Sequence, residues 1–236
     1  MRRSWMVGVL LVLLAGCSVP DDEVAVPVSA INYTERELGS FLFIHPETKT
    51  PAGGPGLAPY EAGGTMCCYR LPKQWRPGIK VRLRYYWYEG SLQAPRTERE
   101  FELPRYAGGR VGMLWAVFYG GDDVEVVVSD VDPGHMDWPG RLKHWPQPSL
   151  AYKRKLWQQE MDELKARLSK FESAAQGAPA EELQEAWAFY QKWEPDSVRG
   201  FSGPDDPAFA EWRKNSFAEA AEQTRQRIRQ LEEKRP

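Results

Sequence analysis

The chain has 236 residues, 42% hydrophobic and 27% charged, which is the balance of a globular protein and excludes a disordered or collagen-like chain. Its 31 Lys and Arg stand against 33 Asp and Glu, a net charge of -2, so no global basic field exists to attract nucleic acid. Three His and three Cys leave little material for metal sites or nucleophile and base pairs, whereas 10 Trp, 10 Tyr and 9 Phe form a surplus.

In chain order, residues 1–16 have the form of a signal peptide. Arg2 and Arg3 are a basic start, and Trp5 to Leu14 is an apolar run too short to span a bilayer, which takes about 20 residues. The run ends in Leu14-Ala15-Gly16-Cys17, which resembles the lipobox of bacterial lipoproteins. On that pattern cleavage precedes Cys17, the Cys17 thiol carries a diacylglyceryl group, and several acyl chains on one residue give stable anchoring. Ser18 follows Cys17 where an Asp would signal retention, so the expected location is the periplasmic side of the outer membrane, the inner membrane being the alternative. Residues 17–29 read as a lipidated tether.

Residues 30–148 read as a β-sandwich-like domain. Seven apolar runs are separated by turn signals: Val24 to Tyr33, Ser40 to His45, Thr65 to Leu71, Ile79 to Tyr88, Thr97 to Leu103, Val111 to Tyr119 and Val124 to Ser129. The clearest alternation sets Ile79, Val81, Leu83, Tyr85 and Trp87 against Lys80, Arg82, Arg84 and Tyr86, and predicts a strand with one buried face and one solvent face. No helical pattern separates the runs, which argues for antiparallel pairing. Thr50 to Gly64, rich in Gly and Pro, reads as a long loop.

The remaining two cysteines, Cys67 and Cys68, are adjacent. They are either a disulfide or two free thiols, and the 3.8 Å spacing of Cα atoms across a trans peptide favours two small strand residues on opposite faces.

From Ser149 the apolar period changes. Trp157, Met161, Leu164, Leu168 and Phe171 form one stripe, and Phe217, Ala221, Thr224, Ile228 and Leu231 form another, with a shorter helix from Ala180 to Trp193 between them. Residues 149–236 therefore read as an α-helical hairpin extension. The fold class is β plus α.

No Gly-x-Ser-x-Gly elbow, P-loop or His-Glu-x-x-His pair occurs, and no catalytic, cofactor or metal residue is assigned. Asp130, Asp132, His135 and Asp137 cluster in one loop that could bind Ca²⁺ through the carboxylate oxygens, but a polar loop that satisfies its own turns explains them with less. Trp138, Trp145, Trp187, Trp193 and Trp212 fall in loops or amphipathic helices, and Trp is a common interface anchor, although core packing is the expected fate of most of them.

One resemblance is specific. Asn32-Tyr33-Thr34-x-Arg36, Gly39-Ser40-Phe41, Gly63-Gly64, Cys67-Cys68, Leu71-Pro72-x-x-Trp75-x-Pro77-Gly78 and Gly134-His135-x-Asp137-Trp138-Pro139 together resemble an uncharacterised family of proteobacterial lipoproteins, over residues 28 to 139. Met136 and Trp138 stand where that pattern often has Pro and Tyr. Members are often encoded beside type VI secretion phospholipase effectors. The resemblance implies an immunity protein, not an enzyme, that binds and neutralises such a lipase effector in the periplasm. Its contact surfaces are expected at Tyr60, at His135, Asp137 and Trp138, and on the helical hairpin. The alternative is a structural or assembly lipoprotein that binds another envelope protein.

Overall fold

The computed structural model describes residues 22–120 and 123–236. The signal peptide and Cys17 lie outside the described residues. Among the described residues no helix is long and apolar enough to cross a membrane. The chain divides between Gln147 and Pro148 into two compact units.

The alternating segment forms β5 (Lys80–Glu89), which alternates between buried and half-exposed residues from Val81 to Tyr88. Its partner on one edge is β2 (Leu38–Ile44), which in turn pairs with β3 (Pro51–Leu57). β7 (Thr97–Glu102) and the two-residue β6 (Leu92–Gln93) also pair with β5. The second sheet has the order β4, β1, β8, β9, made of β4 (Met66–Pro72), β1 (Glu23–Asn32), β8 (Met113–Phe118) and β9 (Val124–Ser129). Most pairs are antiparallel, but β1 and β8 run parallel, Val28 opposite Leu114 and Asn32 opposite Phe118.

Three segments differ from the sequence expectations. The tether expected up to residue 29 stops earlier, because β1 begins at Glu23. The long loop expected from Thr50 to Gly64 contains β3, an edge strand of sequence PAGGPGL. Its prolines lack an N–H that an edge does not need. Its glycines let two backbones close up: a Cβ on Gly53 would sit 2.1 Å from the Phe41 carbonyl oxygen. The third difference is the segment after β9, described below.

The two sheets share one core. Val28 and Ala30 of β1, Phe118 of β8 and Val126 of β9 meet Phe43 of β2 and Leu83 of β5. Each such side chain contributes about 1.5–3 kcal/mol relative to exposure. Several residues of the resembling motifs lock the turns of this unit. The Asn32 amide donates to the carbonyls of Arg36 (2.7 Å) and Ala58 (2.9 Å), and its oxygen accepts from the Thr34 amide and hydroxyl. Ser29 holds the Gly63 carbonyl (3.0 Å), and the Trp75 indole donates to the Leu103 carbonyl (3.0 Å).

The second unit opens with α1 (Leu150–Ala174), capped by the Ser149 hydroxyl, which accepts from the Tyr152 amide at 3.0 Å. Next come α2 (Ala180–Trp193), the single turn α3 (Pro195–Val198) and α4 (Pro207–Glu233), which the Asp206 side chain caps. α1 and α4 pack antiparallel: Trp157 donates to the Leu231 carbonyl (2.8 Å) at one end, and Phe171 meets Phe217 at the other. Met161, Leu164 and Leu231 form the seam. Trp187 and Tyr190 of α2 pack on Phe209 of α4.

Candidate partner-binding site

The run Ile31, Trp115, Val117 and Val127 faces away from the shared core, on the outer side of the β4, β1, β8, β9 sheet. An apolar outer face needs cover. The chain after β9 supplies it: Trp138 is 0% exposed, its indole edge-on to Trp115 at 5.3 Å between ring centres, with Leu142 packed beside them.

Further bonds fix this strap along its length. The Tyr33 hydroxyl donates to the His144 carbonyl at 2.6 Å, and Tyr33 stacks on Tyr119. Arg141 lies 3.9 Å above the Tyr119 ring and reaches Asp123 at 2.6 Å. That guanidinium holds the Asp123 carboxyl below the usual carboxylate range. The Tyr119 hydroxyl donates to Glu125 (2.7 Å), and burial, then this bond, push its pKa up. Lys143 donates to the Trp138 carbonyl.

This corrects the expectation that Trp138 is a contact residue. With no exposed area it cannot touch a partner; it pins the strap. The residues before it stand outward instead. His135 Nδ1 accepts from the Asp137 amide at 3.1 Å, the Trp138 amide donates to the His135 carbonyl at 3.1 Å, and Met136 between them is 84% exposed. Asp130 is drawn off to Arg110, 2.8 Å away. Among the described residues no group of His, Cys, Asp or Glu is placed to hold a metal ion.

Tyr60 sits half-buried on the turn after β3, with left-handed backbone (φ 57°) and its amide donating to the Thr34 carbonyl at 3.1 Å. Ala62, two residues on, packs in the same outer cluster as Trp138, so this turn and the strap flank one face. Of the other tryptophans singled out, Trp187 and Trp212 are half-buried, Trp145 is 43% exposed and Trp193 64%. Phe189 (52%) stands one helical turn before Trp193 on α2, an exposed pair that the spacing i, i+4 places on one face.

Cys67 and Cys68 are joined by a disulfide across a cis peptide bond, with Cα atoms 3.1 Å apart. The trans arrangement with thiols on opposite faces is not the one adopted. Cys67 is exposed and Cys68 half-buried at the outer edge of β4. Beside them Tyr69 packs against the His45 ring, 5.9 Å between centres. No local motif announces this cluster, since His45 follows β2 and Tyr69 lies on β4, in different sheets.

The β unit is thus a two-sheet domain with a covered outer face. Residues 31–126 match the family described as protein of unknown function (DUF3304), so this stretch is similar to an uncharacterised domain. The matched stretch runs from the end of β1 into β9 and stops before the strap and the helices. No curated protein matches the chain, and no solved structure matches it.

Proposed function

We propose that the protein is a lipid-anchored immunity protein that binds a phospholipase effector on the periplasmic side of the outer membrane. The observation that carries this reading is the turn at His135 to Asp137. It projects Met136, an adaptable apolar side chain, from a backbone fixed by a buried Trp138. A projection ordered before binding loses little entropy when it enters a cleft. Met suits an apolar cleft of imprecise shape, such as one that receives acyl chains. His135 and Asp137 give the turn a polar rim. The lipobox at Cys17 supports the placement, because anchoring concentrates an inhibitor at the surface where a lipase acts. The alternative, an assembly lipoprotein, draws support from the exposed pair Phe189 and Trp193 on α2.

The test is co-expression in the periplasm with a phospholipase effector encoded beside its gene. Wild-type protein keeps the cells alive and is recovered with the effector. Met136→Asp loses both while folding normally, because Met136 supports nothing in the sandwich. Cells that die as readily with the wild-type protein as without it, with no complex recovered, rule the reading out.

A further inference from the structure

Along the outer edge of β4 lie two adjoining cavities of about 260 and 90 Å³, which share Glu23, His45, Tyr69 and Arg70 in their walls. The polar groups there are unevenly spent. His45 Nδ1 accepts from the amides of Glu47 and Thr48, each at 3.2 Å, so the neutral ring carries its proton on Nε2 and offers it as a donor. Tyr69 is 3% exposed, and its hydroxyl has no hydrogen-bond partner. Burial, then the charge of Glu23, push its pKa up, so it keeps its proton and is a second donor. Arg76 lines the larger cavity, and among the described residues no carboxylate pairs with it.

The remaining charged groups are already engaged. The acceptor Glu23 is held by Arg70 at 3.0 Å, and the donor Lys80 is spent on Glu100 at 2.8 Å, outside the cleft. Glu47 stands exposed at the rim. Unspent donors thus outnumber unspent acceptors, and one of the donors is a buried hydroxyl whose missing bond costs about 1–3 kcal/mol. A ligand that repairs this imbalance brings several anionic oxygens. Three separate donors, a guanidinium, an imidazole N–H and a phenol, match a tetrahedral group with three or four acceptor oxygens better than a two-oxygen carboxylate.

We propose that this cleft binds a phosphate oxyanion, presented by a soluble phosphoester or by a phospholipid headgroup. Leu71, Ile79 and Cys68 give the walls an apolar portion for the carbon skeleton attached to it. The site is independent of the effector interface above.

Calorimetric titration of the purified protein tests it, at matched ionic strength, with glycerol 3-phosphate, inorganic phosphate and sodium acetate, and with vesicles of phosphatidylglycerol or phosphatidylcholine. Wild-type protein binds glycerol 3-phosphate saturably and acetate far more weakly. Arg76→Ala weakens binding about tenfold or more, the loss expected for a hydrogen bond to a charged group. Tyr69→Phe, which keeps the buried ring, weakens it several-fold, and Arg199→Ala on the helical unit leaves it unchanged. Binding to phosphatidylglycerol vesicles that is lost in the same two variants assigns the headgroup as source; binding to the soluble phosphoester alone assigns the free compound. No saturable binding in either arm, or binding indifferent to Arg76→Ala and Tyr69→Phe, overturns the proposal.

Discussion

The outer faces of the two sheets are treated in opposite ways. On the sheet containing β5 the outer face is an ionic ladder open to water: Lys80 meets Glu100 at 2.8 Å, and Glu98 is shared between Arg84 at 2.7 Å and Arg82 at 3.3 Å. On the sheet containing β1 and β8 the outer face is apolar and roofed by Trp138 and Leu142. The difference is visible in burial along the strands. β5 alternates, while β8 is buried from Leu114 through Phe118 without a break. A strand covered on both faces reads as a continuous apolar run, and a half-covered strand reads as alternation. What the contrast teaches is that a sheet face can be completed by a loop in place of a second layer of regular structure.

The sharpest way to break the contrast is Trp138→Ala, which strips the roof from the apolar face. It should destabilise the β unit by about 3–5 kcal/mol, measured by urea unfolding, because a large buried aromatic leaves a cavity. Gly140→Ala acts on the same contact from the other side. The added Cβ would fall 2.4 Å from Trp138 Nε1, so the indole must shift, at about 1–3 kcal/mol by the same measurement. Tyr33→Phe removes one bond between strap and sheet, worth about 1 kcal/mol.

Tyr33 also gives the roofed face a pH signature. Burial raises its pKa from 10.0 to about 12. The folded state therefore holds this proton more tightly than the unfolded state, and the stabilisation is complete below pH 10 and is lost as pH rises toward 12. In Tyr33→Phe this part of the alkaline slope should vanish. The open face should respond least and with the opposite sign. Arg84, then Arg82, hold the Glu98 carboxyl below its ordinary range, so any stabilisation from the ladder is present above that range and fades as pH falls through it. Glu98→Gln should leave the neutral-pH midpoint nearly unmoved, as exposed pairs contribute little. Its difference from wild type should shrink further in acid.

The same contrast explains what was legible. Apolar runs between turn signals mark seven strands, and a 3.6-residue stripe sustained over several turns marks both long helices. β3 escaped because its glycines and prolines, read as loop formers, are here the residues an edge strand tolerates and a close backbone approach requires. The burial of Trp138 is hidden in the sequence for a related reason. The segment after β9 has no period, so its buried member looks like any aromatic residue in a polar loop, and only the unbroken apolar run of β8 hinted that something must cover it. The distance argument weighs against pairing Cys67 with Cys68 because it assumes a trans peptide. The cleft lined by His45, Tyr69 and Arg76 draws on three separate segments, so no spacing encodes it.

The parallel pairing of β1 with β8 also sets an order of assembly. Val28 waits for Leu114, and the strands between belong mostly to the other sheet. A chain emerging from its N-terminus must therefore deliver more than eighty residues before its first strand gains that neighbour, and about twenty more before Trp138 closes the sheet behind it. Contacts so distant in sequence form slowly. Until the strap arrives, the unroofed face is the surface most in need of protection by a chaperone, and a chain cut short before Trp138 would keep that need permanently.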